Sequence, residues 1–475
     1  MNIYWFRNDL RLHDNEGFLK ATQKADEVLP VFVFDPRLFE KTPMGFHKTG
    51  IYRTRFLLES VADLRASLRE KGGDLLIRIG EPERVLAELA QHYDAEELHL
   101  SKEIAQEETD VESSLSKRLK QLNVDMIFTW MSTLYHVRDL PLAINRLPEV
   151  FTDFRKNVEK NAAVRPTANQ PESVDSPADC EAGEMPTLAD LGFTEAEITP
   201  PDPRGVLDYQ GGETAGLQRL QKYLWESDHI ATYKETRNGL LGADYSSKFS
   251  AWLSLGCLSP RRVHEEVKRY ETERTANNST YWLIFELLWR DFFHFVMLRW
   301  GTRLFKPSGL KLDKDKRWRH DRDLFEKWQT GQTGVPFVDA NMREIAATGF
   351  MSNRGRQNVA SFLAHDLGLD WTWGAAWFES LLIDYDVCSN WGNWNYVAGV
   401  GNDPRQDRYF NQYSQATRYD PEGSYVKYWL PELAKVPTDK IHRVWQLSPA
   451  EQQEYGVVLG EDYPLPIVEG DKWLK

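Results

Sequence analysis

The sequence predicts two unlike halves: an α/β domain built on a doubly wound parallel sheet, then an all-helical domain. Three observations carry this. Over the first 130 residues short apolar strands take turns with amphipathic helical stretches, the pattern of a parallel sheet covered on both faces. From about Thr214 onward apolar residues recur at the helical period, with no alternation of period two. Between them, residues 166–213 hold seven prolines and eleven acidic residues against one base, Arg204, a composition that cannot easily build a core.

Strands are expected at 3–6, 28–34, 75–79, 97–100 and 124–129, with helices over 53–69 and 82–91 between them. Ligands of such sheets lie beyond the carboxyl ends of the strands. The loop Trp5-Phe6-Arg7-Asn8-Asp9-Leu10-Arg11-Leu12-His13-Asp14-Asn15 follows the first strand and by itself decides nothing. Neither GxGxxG nor GxxxxGKS/T occurs, which leaves dinucleotide and P-loop readings little support. The Pro-rich stretch reads as a connector wrapped over a surface, with room for one short helix. Helices follow over 216–226, 261–270, 279–299, 339–348, 356–367 and 373–384. Ser259-Pro260 puts proline at a first helical position, and Asn353 precedes a long run. The domain limits are then 1–165, 166–213 and 214–475.

The 475 residues carry 58 Lys and Arg against 72 Asp and Glu, a formal charge of −14. Hydrophobic content of 41% with 27% charge is ordinary for a soluble globular chain and excludes wholesale disorder. The longest apolar runs, such as 28–34, fall far short of the ~20 residues of a membrane helix. Arg7, Asp9, Arg11 and Asp14 interrupt the start, so no signal peptide is expected. Cys180, Cys257 and Cys388 show no CxxC or Cys/His spacing. Neither a disulfide framework nor a metal centre is expected, and a reducing cytoplasm is the natural home. Of 17 Trp, 15 lie after residue 200, an enrichment that invites a use beyond packing.

Four clusters in the second half are dense in chemistry. Tyr233 with Tyr245-Ser246-Ser247-Lys248-Phe249-Ser250 suits either a phosphate cradle at a helix start or an ordinary capped turn. Glu286, Trp289 and Arg290 share an otherwise apolar helix. At i, i+4 spacing, Glu286 and Arg290 form either a surface ion pair worth roughly 0.3–0.5 kcal/mol or a working charge among aromatics. Residues 351–358, with Asn353, Arg356 and Gln357, crowd donors at the start of an apolar helix or are simply its solvated beginning. Residues 384–396 gather Asp384, Asp386, Asn390, Trp394 and Tyr396. As a metal loop this run fails the EF-hand pattern, because no glycine or terminal glutamate falls where needed.

Taken in order, these clusters resemble the photolyase/cryptochrome family over essentially the whole chain. Trp5-Phe6-Arg7-Asn8-Asp9-Leu10-Arg11 is similar to its N-terminal signature. The 245–250 run, Asn353-Arg354-Gly355-Arg356-Gln357-Asn358 and Asn390-Trp391-Gly392-Asn393-Trp394-Asn395-Tyr396 are similar to its DASH branch, as are Tyr419-Asp420-Pro421-Glu422-Gly423 and Tyr428-Trp429-Leu430-Pro431-Glu432-Leu433. The resemblance implies a helical FAD-binding domain. Tyr233, Ser246, Ser247, Lys248 and Ser250 would hold the phosphates, with lysine where related enzymes usually have arginine. Arg290 falls at a further FAD position. Arg356 and Asp384 would pair near the isoalloxazine, with Asp386 beside it and Asn390 facing flavin N5. An asparagine there cannot donate a full proton and so favours the anionic reduced flavin.

The resemblance further implies light-driven repair of cyclobutane pyrimidine dimers. Glu286 would bond the base edge, its pKa raised by desolvation. Trp289 and Tyr396 would flank the dimer, with Asn353 and Gln357 lining the pocket. Duplex-active enzymes tend to carry Trp and Met at the Tyr396 and Gln357 positions. The more polar cavity here fits single-stranded DNA, because flipping a base out of a duplex costs a few kcal/mol that stacking must offset. No histidine occupies the 351–358 run, against six-four repair, and three cysteines exclude an iron–sulfur photolyase. Trp394, Trp371 and Trp318 match electron-relay positions from flavin to surface. A folate antenna, 5,10-methenyltetrahydrofolate, is implied between the domains, with Glu103 and Gln106 as contacts.

The implied protein is a monomeric lyase acting on DNA, away from membranes. Its rival is a non-enzymatic blue-light photoreceptor signalling through flavin redox state, which leaves Glu286, Trp289 and Asn353 without a task. Charge placement favours a strand. Residues 290–360 hold fourteen bases, among them Arg299, Lys311, Lys314, Lys316 and Arg343, against eight acids, which predicts a basic track beside the pocket.

Overall fold

The computed structural model describes residues 1–313, 315–405 and 408–474. Five parallel strands form the sheet: β1 (Asn2–Phe6), β2 (Val28–Phe34), β3 (Leu76–Ile79), β4 (Glu97–Ser101) and β5 (Asp125–Thr129), in the order β3-β2-β1-β4-β5. Helices α1 (Glu16–Lys24), α2 (Ile51–Glu70), α3 (Pro82–His92) and α4 (Gln106–Gln121) cover it. Tyr4 and Phe6 face a core shared with Phe18, Phe56 and Leu64, while Ile3 and Trp5 face another with Leu86 and Leu115. Burial on both faces is why β2 reads as an unbroken apolar run.

The strands and the helices α2 and α3 lie within two residues of where the pattern puts them. The pattern marks neither α1 nor α4. Helix α4 buries only Glu112, Leu115 and Leu119, too few apolar positions to make a stripe. The strand order reverses between β1 and β4, so the loops after these strands form the sheet's ligand edge.

The connector departs from expectation. Among the described residues it holds no helix between Phe151–Asn161 and Glu213–Gln221. It lies along the sheet instead, where Asp175 O accepts from Val28 N at 2.8 Å and Ala182 O accepts from Ile77 N at 2.7 Å. The β3 edge is thereby closed to foreign strands.

The loop after β1 joins the two halves. Asp14, 1% exposed, accepts from Arg261 Nη2 at 2.6 Å and Nε at 3.0 Å, and from the Ser259 hydroxyl. Arg11 Nη1 donates to Gly256 O at 2.8 Å. Glu213, at the end of the connector, takes the backbone N–H of Leu12 (2.6 Å) and His13 (3.0 Å). The dense charge of this loop is thus a clamp between domains.

In the helical half, the helix Asn278–Trp300 opens with a capping box on Asn277 and Thr280. The helices that build the site are Pro336–Thr348, Asn353–Ser361 with a π turn over Phe362–Asp366, Trp371–Leu381 and Val387–Val397. The run 384–396, weighed as a metal loop, is helical from Val387. Asp386 caps it by accepting Ser389 N at 2.6 Å. Among the described residues no helix is long and apolar enough to cross a membrane.

Candidate functional site

Three of these helices wall a cavity with about 560 Å³ of empty space, its open mouth included. One side is apolar, with Phe378, Leu382 and Trp394. The other carries Asn353, Arg356, Gln357, Asp384, Asp386 and Asn390. Arg356 Nη2 donates to both oxygens of buried Asp384, at 3.0 and 2.9 Å. Burial pushes the Asp386 carboxyl up, but His294, 3.3 Å away, and Arg290 outweigh it and hold the group far below the usual range. Cys388 lies close to both His294 and Asp386, and burial pushes its thiol far up, which keeps it protonated. Asn390 is anchored by Nδ2 donating to Ala375 O at 3.1 Å, which fixes its amide plane.

Toward the mouth, Trp289 meets Tyr396 edge to face, 5.9 Å between ring centres, and stacks on Phe151 at 3.7 Å. Glu286 does not pair with Arg290. Its partner is Arg237, from another element. Arg290 is drawn across the domain boundary to Ser132 O, also donates to Leu253 O of its own half, and lines a separate cleft of about 240 Å³ with Asn8, Asp9 and Ser101.

Gln357 accepts from Arg354 Nη1 at 2.8 Å, and Tyr396 OH from Arg408 Nη2 at 2.8 Å. Burial, then Arg237, Arg418 and Arg408, push the Arg354 guanidinium down, so four guanidinia share one region. Sequence reasoning missed Arg237, Arg408 and Arg418, because nothing in their spacing marks them. Four of the bases of 290–360 are tied to other segments, while Lys306, Arg317, Arg319, Arg322 and Lys327 are exposed. Arg299 donates to Leu147 O, Lys311 to Gly399 O (3.2 Å) and Lys316 to Ala398 O, while Arg343 pairs with Glu432 (2.7 Å). These cations stitch the domain together. Lys314 lies outside the described residues.

The 245–250 turn reaches the Arg356 end of the cavity through Phe350, whose ring centre lies 4.7 Å from Lys248 Nζ and 5.6 Å from Arg356 Cζ. Ser246 O and Ser247 O accept from Arg219 at 3.2 and 3.0 Å, and Ser250 opens a short helix. Tyr233 is buried within the field of Glu286 and Arg237. Lys248 Nζ is buried with no hydrogen-bond partner among the described residues. Its ammonium sits over the Tyr245 ring at 3.1 Å, and burial pushes its pKa far below that of a free lysine.

Of the two residues expected to contact an antenna, Glu103 lies beside the β1 loop, accepting from Asn8 Nδ2 at 3.3 Å, and burial pushes its carboxyl up to about 7. Gln106 stands exposed on the first turn of α4, bonded to Asp110 at 2.7 Å.

Residues 2–174 match the family model described as DNA photolyase, and residues 282–474 the one described as the FAD binding domain of DNA photolyase. A cryptochrome DASH of Gloeobacter violaceus is 56% identical over 98% of this chain and 93% of its own length. The chain belongs to the cryptochrome DASH family. The crystal structure of a Synechocystis cryptochrome matches with a TM-score of 0.96 at 52% identity, covering 100% of this chain and 97% of that one. A bacterial class III photolyase from Agrobacterium tumefaciens matches at 0.85 with 30% identity, over 99% and 95%. The helical half of this cryptochrome DASH is therefore an FAD-binding domain. The residues around the larger cavity fit a flavin: an apolar wall faces donors and acceptors, and a guanidinium is already oriented by Asp384.

The three tryptophans expected to form a relay are placed as follows. Trp394 lines the cavity, edge-on to Phe378 at 5.1 Å. Trp371 is buried, and Trp318 is half-buried. Both donate their indole N–H to the same acceptor, Pro307 O, at 3.0 Å. Trp394 packs directly on Gly374, where an added Cβ would run into the indole. Gly374→Ala is therefore expected to cost about 1–3 kcal/mol by overpacking and to lower FAD retention, read by thermal unfolding and by flavin absorbance after gel filtration. Gly205→Ala is the control, since the nearest atom there would stand 3.4 Å away.

Proposed function

We propose that this protein is a light-driven lyase that splits cyclobutane pyrimidine dimers, chiefly in single-stranded DNA. One observation supports the reading above the others: an aromatic pair, Trp289 and Tyr396, stands beside the polar Glu286 and Gln357, with Arg237, Arg354 and Arg408 around them. Flat rings suit bases, and guanidinia suit the flanking phosphates. Arg356, Asp384, Asp386 and Asn390 would hold the flavin ring, and the Ser246, Ser247 and Ser250 hydroxyls with Tyr233 its phosphates. Bound FAD, reduced and excited by light, supplies the electron that opens the dimer ring. Asn353 and Gln357 would line the lesion's side of the pocket, and Glu103 an antenna folate. The three cysteines are unpaired, which suits the reducing cytoplasm in which we place the protein.

The test illuminates reduced protein with dimer-bearing oligonucleotides, single- and double-stranded, and follows loss of the dimer. Repair of the single strand well above the duplex is expected. Repair of neither overturns the proposal in favour of a photoreceptor. Gln357→Met with Tyr396→Trp is expected to narrow the gap, because stronger stacking offsets the cost of flipping the base.

A further inference from the structure

Among the described residues Glu286 has one ion-pair partner, Arg237, from another element. Arg237 Nη1 pairs with Glu286 Oε1, and the two side chains are 23% and 29% exposed. The same guanidinium lies 5.6 Å from the Trp282 ring and within the field of Arg354, which donates to neighbouring Asn238 at 3.0 Å. A carboxylate held this way is an acceptor only. A pyrimidine carbonyl on the base edge needs a donor, which the same carboxyl becomes when protonated.

We propose that Arg237 is a latch on Glu286: a phosphodiester of the bound strand takes the guanidinium, and the released Glu286 takes a proton from water and donates it as a hydrogen bond to a pyrimidine carbonyl. This rests on the repair reading above. No covalent bond changes in the latch step, and the proton is drawn from solvent. The groups facing Glu286 are few. Burial raises its carboxyl, while Arg237 and Trp282 lower it. Tyr233 beside it stays a neutral phenol because burial pushes it far up. Lys234 lies over the Trp282 ring at 4.7 Å. Departure of Arg237 removes the main group that favours the charged form, so the Glu286 pKa rises on binding. Binding then takes up a proton, and affinity falls as pH rises through the window between the two pKa values.

The experiment titrates a single-stranded oligonucleotide carrying one thymine dimer into the FAD-loaded protein in the dark. Calorimetry is run across a pH series in two buffers of different ionisation enthalpy, which counts protons. The wild type is expected to take up a proton. Glu286→Gln takes up none because it has no acid, and Arg237→Gln takes up less than the wild type because its Glu286 already lacks the cation that lowers it. Arg237→Gln also lowers the slope of log Kd against log salt by about 0.7, one phosphate fewer on a single strand. An unchanged flavin spectrum in both variants reports an intact fold. Equal proton uptake by Arg237→Gln and wild type, or none by a wild type that repairs under light, overturns the latch and leaves repair standing. A wild type that neither binds nor repairs the dimer removes both.

Discussion

Trp394→Phe is expected to keep FAD bound and to slow its photoreduction at least about tenfold, the effect of only ~1.4 kcal/mol on a barrier. Phenylalanine fills most of the space against Phe378 and Trp328, whose ring centres lie 5.1 and 6.3 Å from that of Trp394, so packing changes little. A benzene ring, unlike an indole, is not readily oxidised. The next tryptophan, Trp371, lies one turn from Gly374 on the helix Trp371–Leu381, and so stands behind the wall on which Trp394 packs. Bleaching of oxidised FAD under blue light with external reductant measures the effect. Bleaching at the wild-type rate would exclude Trp394 as the first donor. On the proposed function, repair by chemically reduced protein should survive the substitution, because a relay would serve only to load the electron.

Arg261→Ala should destabilise the protein by about 3–5 kcal/mol, since it strands a buried carboxylate that two guanidinium nitrogens now neutralise. Arg261 and Asp14 side chains are 8% and 1% exposed, and water has little access to replace the lost partner. The effect is expected at the domain boundary before the sheet: faster amide exchange in the β1 loop and earlier proteolysis of the connector. The neighbouring Arg262→Ala is the control. Arg262 is 37% exposed and pairs with Glu265 and Glu266 along its own helix, so its loss should cost under about 1 kcal/mol. Equal effects of the two would show that the clamp carries no special stability.

The parts of this fold that depend on one stretch of chain were legible in the sequence. β2 could be read because burial on both faces demands an unbroken apolar run, and α3 because Pro82 begins it and Leu86, Leu89 and Ala90 lie on one face. Helix α4 could not, because its stability comes from what it packs against. Distant pairs were harder. The Arg356–Asp384 bridge spans 28 positions and came only with the family resemblance, while the i, i+4 spacing of Glu286 and Arg290 pointed to the wrong partner. Helical spacing states which side chains share a face. It does not state that Ser132 O across the domain boundary attracts Arg290 more strongly than Glu286 does. Lys248 illustrates the same limit, since Phe350, which closes over it, lies about a hundred positions on.

The clamp between Asp14 and Arg261 also sets a timetable for synthesis. The two residues are 247 positions apart, so at about 5–20 residues per second the ribosome needs roughly 12–50 s to supply the partner. All five strands are complete by Thr129, and Asp175 and Ala182 follow to cover the sheet's edge, long before that interval closes. Until then the Asp14 carboxylate has only the Ala168 backbone N–H, at 2.8 Å, and water to accept from. The β3 edge of the nascent α/β half is therefore covered while it waits, and its first loop takes its final form only when the helical half arrives.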